Sequence, residues 1–113
     1  MNLREQILSA NDFTLSPISI PEWGEEGLFF IKPMKLKTQR DILSMINNKK
    51  DALEISVVSV INSLCDSDGN FIFQKNDANA LMEKSACVCG AIMREINRVN
   101  KFDDGEVENA TKN

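Results

Sequence analysis

Residues 85–99 carry the pattern that most restricts what this chain can fold into. Apolar side chains recur there at intervals of three or four residues, as they do along one face of an α-helix. They are Val88, Ile92, Ile96 and Val99, with Cys89 and Met93 widening the face. Ser85 stands where a helix N-cap is expected. Such a face must be covered, and we interpret it as part of a core rather than as a groove for a partner.

Four further segments are predicted to be helices, each from a capping residue and the apolar spacing that follows it. The predicted caps are Asn2, Thr38, Asp51 and Asn76, and the predicted helices cover residues 3 to about 11, 39–47, 52–64 and 77–82. Residues 55–61 are rich in β-branched side chains, and by propensity alone they would suit a strand. The apolar run that contains them is long for a strand, so its length favours a helix that extends to Leu64.

A β-hairpin is predicted over residues 15–33, near the start of the chain. Residues 15–21 alternate between apolar and polar side chains but include Pro17 and Pro21, so this strand belongs at a sheet edge. After the turn of residues 22–27, residues 28–32 form a second strand with higher β-propensity. A hairpin alone is marginal in water, so we expect it to pack against the helices.

The acidic segment around Gly69 resembles a calcium-binding loop at first sight. With Gly69 at the sixth position of such a loop, Asp66 and Asp68 would be the third and fifth ligands. Leu64 and Lys75 then occupy the first and twelfth positions, which need oxygen ligands. The pattern therefore predicts a turn at Asp68-Gly69 or Gly69-Asn70, either of which tolerates a positive φ, and no metal site.

The composition excludes several classes of function. The net charge is −4, with no basic stripe beyond Lys49 and Lys50, so we expect no nucleic-acid partner. Histidine is absent, which removes the commonest general base and the commonest zinc ligand, so we expect neither an enzyme nor a cofactor. A weaker alternative is an enzyme that uses Asp66 and Asp68 with a bound metal.

The remaining composition argues for a reducing compartment and against a membrane. Cys65, Cys87 and Cys89 match neither a disulfide framework nor a zinc motif, so we interpret them as small buried hydrophobic residues. A reactive thiol pair is the alternative. No apolar stretch approaches the roughly 18 residues of a membrane span, and the N-terminus lacks a signal-peptide core. We expect a soluble protein made in the cytoplasm.

Together these elements predict an α+β, mostly α, fold: a small helical bundle with an N-terminal β-hairpin. Residues 1–101 are expected to form a single domain, and residues 102–113 a polar, acidic tail that is mobile on its own.

The order and spacing of four segments resemble those of the tail assembly chaperones of long-tailed bacteriophages. They are the opening helix, residues 3–12; the proline-tryptophan-glycine hairpin, residues 20–24; the helix start, residues 36–41; and the acidic turn with its extension, residues 65–73. The Glu-Lys-Ser-Ala start of the last helix, residues 83–86, is also similar. Gly90 inside that helix departs from the pattern and weakens the helix by about 1 kcal/mol relative to Ala.

The resemblance implies an assembly role in the host cytoplasm. Such chaperones bind the tape-measure protein, keep its apolar helices soluble and recruit subunits of the major tail-tube protein. They are not retained in the mature virion, and self-association into a homo-oligomer is left open. The alternative is a small structural adaptor or tail-completion protein of the virion.

Candidate partner-binding residues lie in two places. Trp23, Phe29 and Phe30 are large aromatic residues of the hairpin, which either pack against the helices or face a client. Acidic residues of the tail, Asp103, Asp104 and Glu106, are candidates for contact with tube subunits, although most charge runs are only solvated.

Overall fold

The computed structural model describes residues 2–102. Within them the helices are α1 (Leu3–Ser9), α2 (Leu36–Asn47), α3 (Ala52–Ile61), α4 (Ala78–Leu81) and α5 (Ala86–Val99), and the strands are β1 (Ser16–Ile18), β2 (Phe29–Ile31) and β3 (Leu64–Cys65). The predicted α+β, mostly α, fold is confirmed. The tail predicted over residues 102–113 lies outside the described residues apart from Phe102, which packs against the core.

The strands form one antiparallel sheet in the order β1-β2-β3. Pro17 of β1 is in register with Phe30 of β2. Proline has no N–H to donate, and it is tolerated here because β1 is an edge strand. The predicted hairpin and its edge position are confirmed. Gly27, with φ of +88°, takes a left-handed conformation in the connection between the two strands.

The third strand differs from the sequence-based expectation, in which Leu64 continues the helix of residues 52–64. Helix α3 instead ends at Ile61, and Leu64 pairs with Ile31 of β2. The Ser63 carbonyl accepts a hydrogen bond from the Lys32 backbone N–H at 2.8 Å. Pairing with β2 buries Leu64 completely. This tertiary contact outweighs the helical spacing of apolar residues that predicts a helix as far as Leu64.

The acidic segment forms the predicted turn. The Asp66 side chain accepts hydrogen bonds from the backbone N–H groups of Asp68 and Asn70, at 2.9 and 3.0 Å. Gly69 has φ of +84°, which glycine adopts without the steric cost that a Cβ atom brings. Phe71 then pairs with Cys65 across the turn. The Asp66 carboxylate therefore stabilises the turn by binding backbone N–H groups within it.

Three of the predicted caps are confirmed. Asn2 accepts from the Glu5 N–H at 2.8 Å, Asp51 from the Leu53 N–H at 2.7 Å and Ser85 from the Val88 N–H at 3.4 Å. Each bond satisfies a backbone donor that the first turn of a helix leaves without a partner.

Two predicted caps are wrong. Helix α2 begins at Leu36, one turn before the predicted start, so Thr38 lies inside it. Asn76 lies inside a 3-10 turn (Lys75–Asp77), where the Asp77 carboxylate accepts from the Gln74 N–H at 2.7 Å. In both cases a helical turn forms upstream of the predicted capping side chain.

The core lies between α5, α3 and the sheet. Helix α5 packs against α3, β1 and β2, and α3 also packs against α2 and α4. Val88, Ile92 and Ile96 of α5 are buried, and the last two have no exposed surface. The core interpretation of the α5 stripe is therefore confirmed. The other buried apolar residues are Ile20, Ile31, Met34, Ile42, Val60, Ile61, Leu64, Cys65 and Leu81.

Candidate partner-binding surfaces

The hairpin aromatic residues take two different positions. Trp23 and Phe29 are half-buried and pack against the core. The Trp23 ring meets that of Phe73 edge-on, with centroids 6.2 Å apart and an interplanar angle of 81°, which is a favourable aromatic geometry. These two residues pack the hairpin against the core.

Phe30 lies between Phe29 and Ile31 in β2, so it projects from the opposite face of the sheet. It is half-buried, and its carbonyl accepts a hydrogen bond from the Cys65 thiol at 3.5 Å. Binding of a partner by Trp23, Phe29 and Phe30 stays a prediction. Asp103, Asp104 and Glu106 lie outside the described residues.

Lys32 connects three segments next to the sheet. Its ammonium nitrogen lies 5.2 Å from the centroid of the Phe13 ring and 5.3 Å from that of Phe71. It also donates to the Gly69 carbonyl at 3.4 Å. These cation–π contacts and the hydrogen bond link the segment before β1, strand β2 and the acidic turn.

An apolar groove of about 120 Å³ lies between α3, α4 and α5. Its lining residues are Leu53, Ser56, Val57, Val60, Leu81, Met82, Lys84, Ala86 and Cys89. Leu53 is 60% exposed and Met82 is 52% exposed, so the rim presents apolar side chains to solvent. The groove is smaller than a typical small-molecule site of roughly 300–1,000 Å³, and it suits an apolar side chain of a partner helix better.

Helix α1 carries a second exposed apolar surface. The predicted face of Leu3, Ile7 and Leu8 forms as expected, but no residue of α1 is buried. Ile7 is 69% exposed. A seven-residue helix is marginal in water without a packing partner, so this face is a candidate for contact with another polypeptide.

The α3–α5 groove was not predicted from the sequence. By helical spacing Leu53 falls on an apolar line with Val57 and Val60, and the structure places it at the groove rim. One signal for the groove is present in the sequence: α3 is apolar on nearly every side, through Ile55, Val57, Val58 and the residues that follow. A helix with more apolar surface than one core face can bury must offer the rest to another element or partner.

The three cysteines have different surroundings, so the prediction that all are buried is wrong for Cys87. Cys65 is buried, Cys89 is partly buried and Cys87 is exposed. Burial raises the pKa of the Cys65 thiol, with Lys32 opposing that shift and Asp66 adding to it. Burial also raises the pKa of Cys89. Less thiolate forms at neutral pH as a result, which lowers the nucleophilicity of both sulfurs.

Among residues 2–102, no three Cys, Asp or Glu side chains come together in a group that could hold a metal ion. Across the same residues, no helix has both the length and the apolar character needed to cross a bilayer.

No protein-family model and no curated protein matches this sequence. Among solved structures, the fold is similar to that of the tail assembly chaperone of bacteriophage HK97, with a TM-score of 0.63 and 18% sequence identity. The similarity covers 85% of this chain and 91% of the HK97 chain. The chain therefore has the α+β fold of a phage tail assembly chaperone. The resemblance predicted from the segments of the sequence is confirmed at the level of the fold.

Proposed function

We propose that this protein is a phage tail assembly chaperone that binds the tape-measure protein, keeps it soluble and helps to recruit tail-tube subunits. The observation that carries the proposal is the structural similarity to the HK97 tail assembly chaperone, because it extends over nearly all of both chains. A fold alone does not define a function. The exposed apolar surfaces of this chain supply the second argument.

The groove between α3, α4 and α5 is the proposed client site. An amphipathic helix binds such a groove by inserting apolar side chains at intervals of three or four residues. Leu53 and Met82 at the rim would contact the flanks of that helix, and Val57 and Val60 would contact the inserted side chain. The apolar helices of a tape-measure protein have the chemistry that this surface requires.

The charge of the chain is compatible with a chaperone that acts before assembly. A net charge of −4 on a small domain favours solubility while apolar side chains remain exposed. The protein would act in the host cytoplasm and leave before the particle is complete. Copies of the chain that bind along one client would be held together either by the client or by direct contacts between the copies.

The test is co-expression with the tape-measure protein of the same phage. We expect the tape-measure protein to be soluble with the wild-type chain and to precipitate without it. Leu53→Gln and Met82→Gln should reduce the soluble fraction, because a polar side chain at the rim weakens apolar contact. Ile46→Gln is the matched control, since Ile46 is 49% exposed but lies in α2 and does not line the groove.

Two results would contradict this proposal. One is a tape-measure protein that precipitates equally with and without the chain. The other is a stoichiometric amount of this chain in purified mature particles, measured by mass spectrometry, which would support a structural adaptor or tail-completion protein instead.

A further inference from the structure

The outward face of α2 combines apolar and basic side chains. Ile42 is the buried residue of this helix. Leu36, Arg40 and Leu43 follow one another at intervals of four and three residues, so they share a face that points away from Ile42. Leu36 is 87% exposed and Leu43 is 52% exposed. Lys37 is exposed beside them. An exposed leucine pair among cations is a surface that acidic residues with an apolar side chain between them would fit.

Positive charge is concentrated in this part of an otherwise acidic chain. Six of the thirteen basic residues lie between Lys32 and Lys50, where Asp41 is the one acidic residue. Arg40 lies 3.3 Å from Asp41, but both side chains are mostly exposed, so solvent screens the pair. Within residues 2–102, Lys35 and Lys37 take part in no ion pair.

The described chain ends beside the start of α2. The Asn100 side chain accepts a hydrogen bond from the Met34 N–H at 2.8 Å and donates to the Ile96 carbonyl at 2.8 Å. Lys101 has φ of +62°, and the Phe102 N–H donates to the Asn97 carbonyl at 2.7 Å. Residue 103 therefore follows a turn that is fixed by hydrogen bonds. One of them joins Asn100 to Met34, which lies two positions before α2.

The residues that follow have the complementary chemistry. Residues 103–108 contain four acids and no base, with Val107 between two of the acids. Extended, six residues reach about 20 Å, whereas the outward face from Leu36 to Leu43 rises only about 10 Å. We propose that residues 103–108 bind the outward face of α2 in the same chain, with the acids against Lys35, Lys37 and Arg40 and with Val107 against Leu36.

Binding within one chain is favoured over binding between copies because the tail is attached next to its site. A short tether gives an effective concentration in the millimolar range, well above that of separate copies in a dilute solution. Exposed ion pairs are individually weak, so the contact is reversible. A protein that binds the outward face of α2 would therefore compete with residues 103–108 for Leu36 and Leu43.

Amide chemical shifts of the full-length protein test this proposal. Neutralising the tail with Asp103→Asn, Asp104→Asn, Glu106→Gln and Glu108→Gln should shift the amide signals of residues 35–43. About 1 M salt should shift wild-type signals in the same direction, because the Debye length falls to about 3 Å. The matched control neutralises three exposed acids of the hairpin connection, through Glu22→Gln, Glu25→Gln and Glu26→Gln, and should leave those signals in place.

A reciprocal exchange separates direct contact from a general charge effect. Lys35→Glu with Lys37→Glu should release the tail, and adding Asp103→Lys with Asp104→Lys should return the signals of Leu43 and its neighbours toward wild-type positions. Unchanged α2 signals in the neutral-tail variant would overturn the proposal. Shifts that disappear on dilution of the wild-type protein would also overturn it, since they would place the contact between copies.

Discussion

Helices α1 and α5 begin from the same kind of sequence and end in opposite surroundings. Each has a confirmed side-chain cap, Asn2 in α1 and Ser85 in α5, and each has apolar residues on one face. Ile92 of α5 has no exposed surface, whereas Ile7 of α1 is 69% exposed. Helical periodicity thus identified the apolar face correctly in both helices. It carried no information on whether another element covers that face.

Length and position explain the difference. Helix α5 has fourteen residues and lies against α3 and the sheet, so its face is buried by several elements at once. Helix α1 has seven residues and precedes β1, an edge strand, by a connection of six residues. A short helix gains its stability from whatever packs against it. For α1 the described residues supply little such packing.

The largest expected effect is that of Ile92→Ala in α5. Removing a side chain of this size from a buried position costs about 2–5 kcal/mol, through lost apolar burial and the cavity that remains. Chemical denaturation should show that loss in the free energy of unfolding. Ile7→Ala, the same substitution in α1, is the control. Equal losses in the two variants would contradict the comparison.

A smaller effect is expected from the caps. Ser85→Ala should lower the free energy of unfolding by about 1 kcal/mol, because it removes the acceptor for the Val88 N–H. Asn2→Ala should leave the global unfolding transition in place, since α1 can open locally while the core stays folded. Hydrogen exchange of the Glu5 amide should nevertheless become faster. A global loss in the Asn2 variant similar to that in the Ser85 variant would show that α1 unfolds together with the core.

The smallest effect on stability is expected from Ile7→Gln. A substitution at an exposed position away from special features usually changes stability by less than about 0.5 kcal/mol. Thermal unfolding should therefore be close to that of the wild-type protein. If α1 contacts a client, the same variant should reduce the soluble fraction of the co-expressed tape-measure protein. A loss of stability above about 1 kcal/mol would mean that another element buries Ile7 in solution.

The features that were predictable depend on residues close together in the sequence. Asp51 caps α3 two residues away, and Asp66 closes its turn with the N–H groups of Asp68 and Asn70. Pro17 restricts its own strand to an edge because the proline itself lacks a donor. Each of these features is set by a few neighbouring residues, so the rest of the chain has little influence on it.

The candidate sites were less predictable, because they depend on what other segments leave uncovered. Leu53 fits a core position by spacing but stands at the rim of a groove. Trp23 fits either a core or a partner role, and the structure places its ring against Phe73. The surface of α2 required knowledge that the end of α5 lies next to Met34, 66 residues away in the sequence.

The sequence by itself determined the helical segments, their apolar faces, the caps at Asp51 and Ser85 and the acidic turn at Gly69. Only the tertiary structure decided that Leu64 joins a sheet, that α3, α4 and α5 leave a groove and that α1 stays exposed. The physical reason is that local bonds and periodicity are set by neighbouring residues. Burial is set by which distant surfaces meet, and several distant surfaces compete for each apolar face.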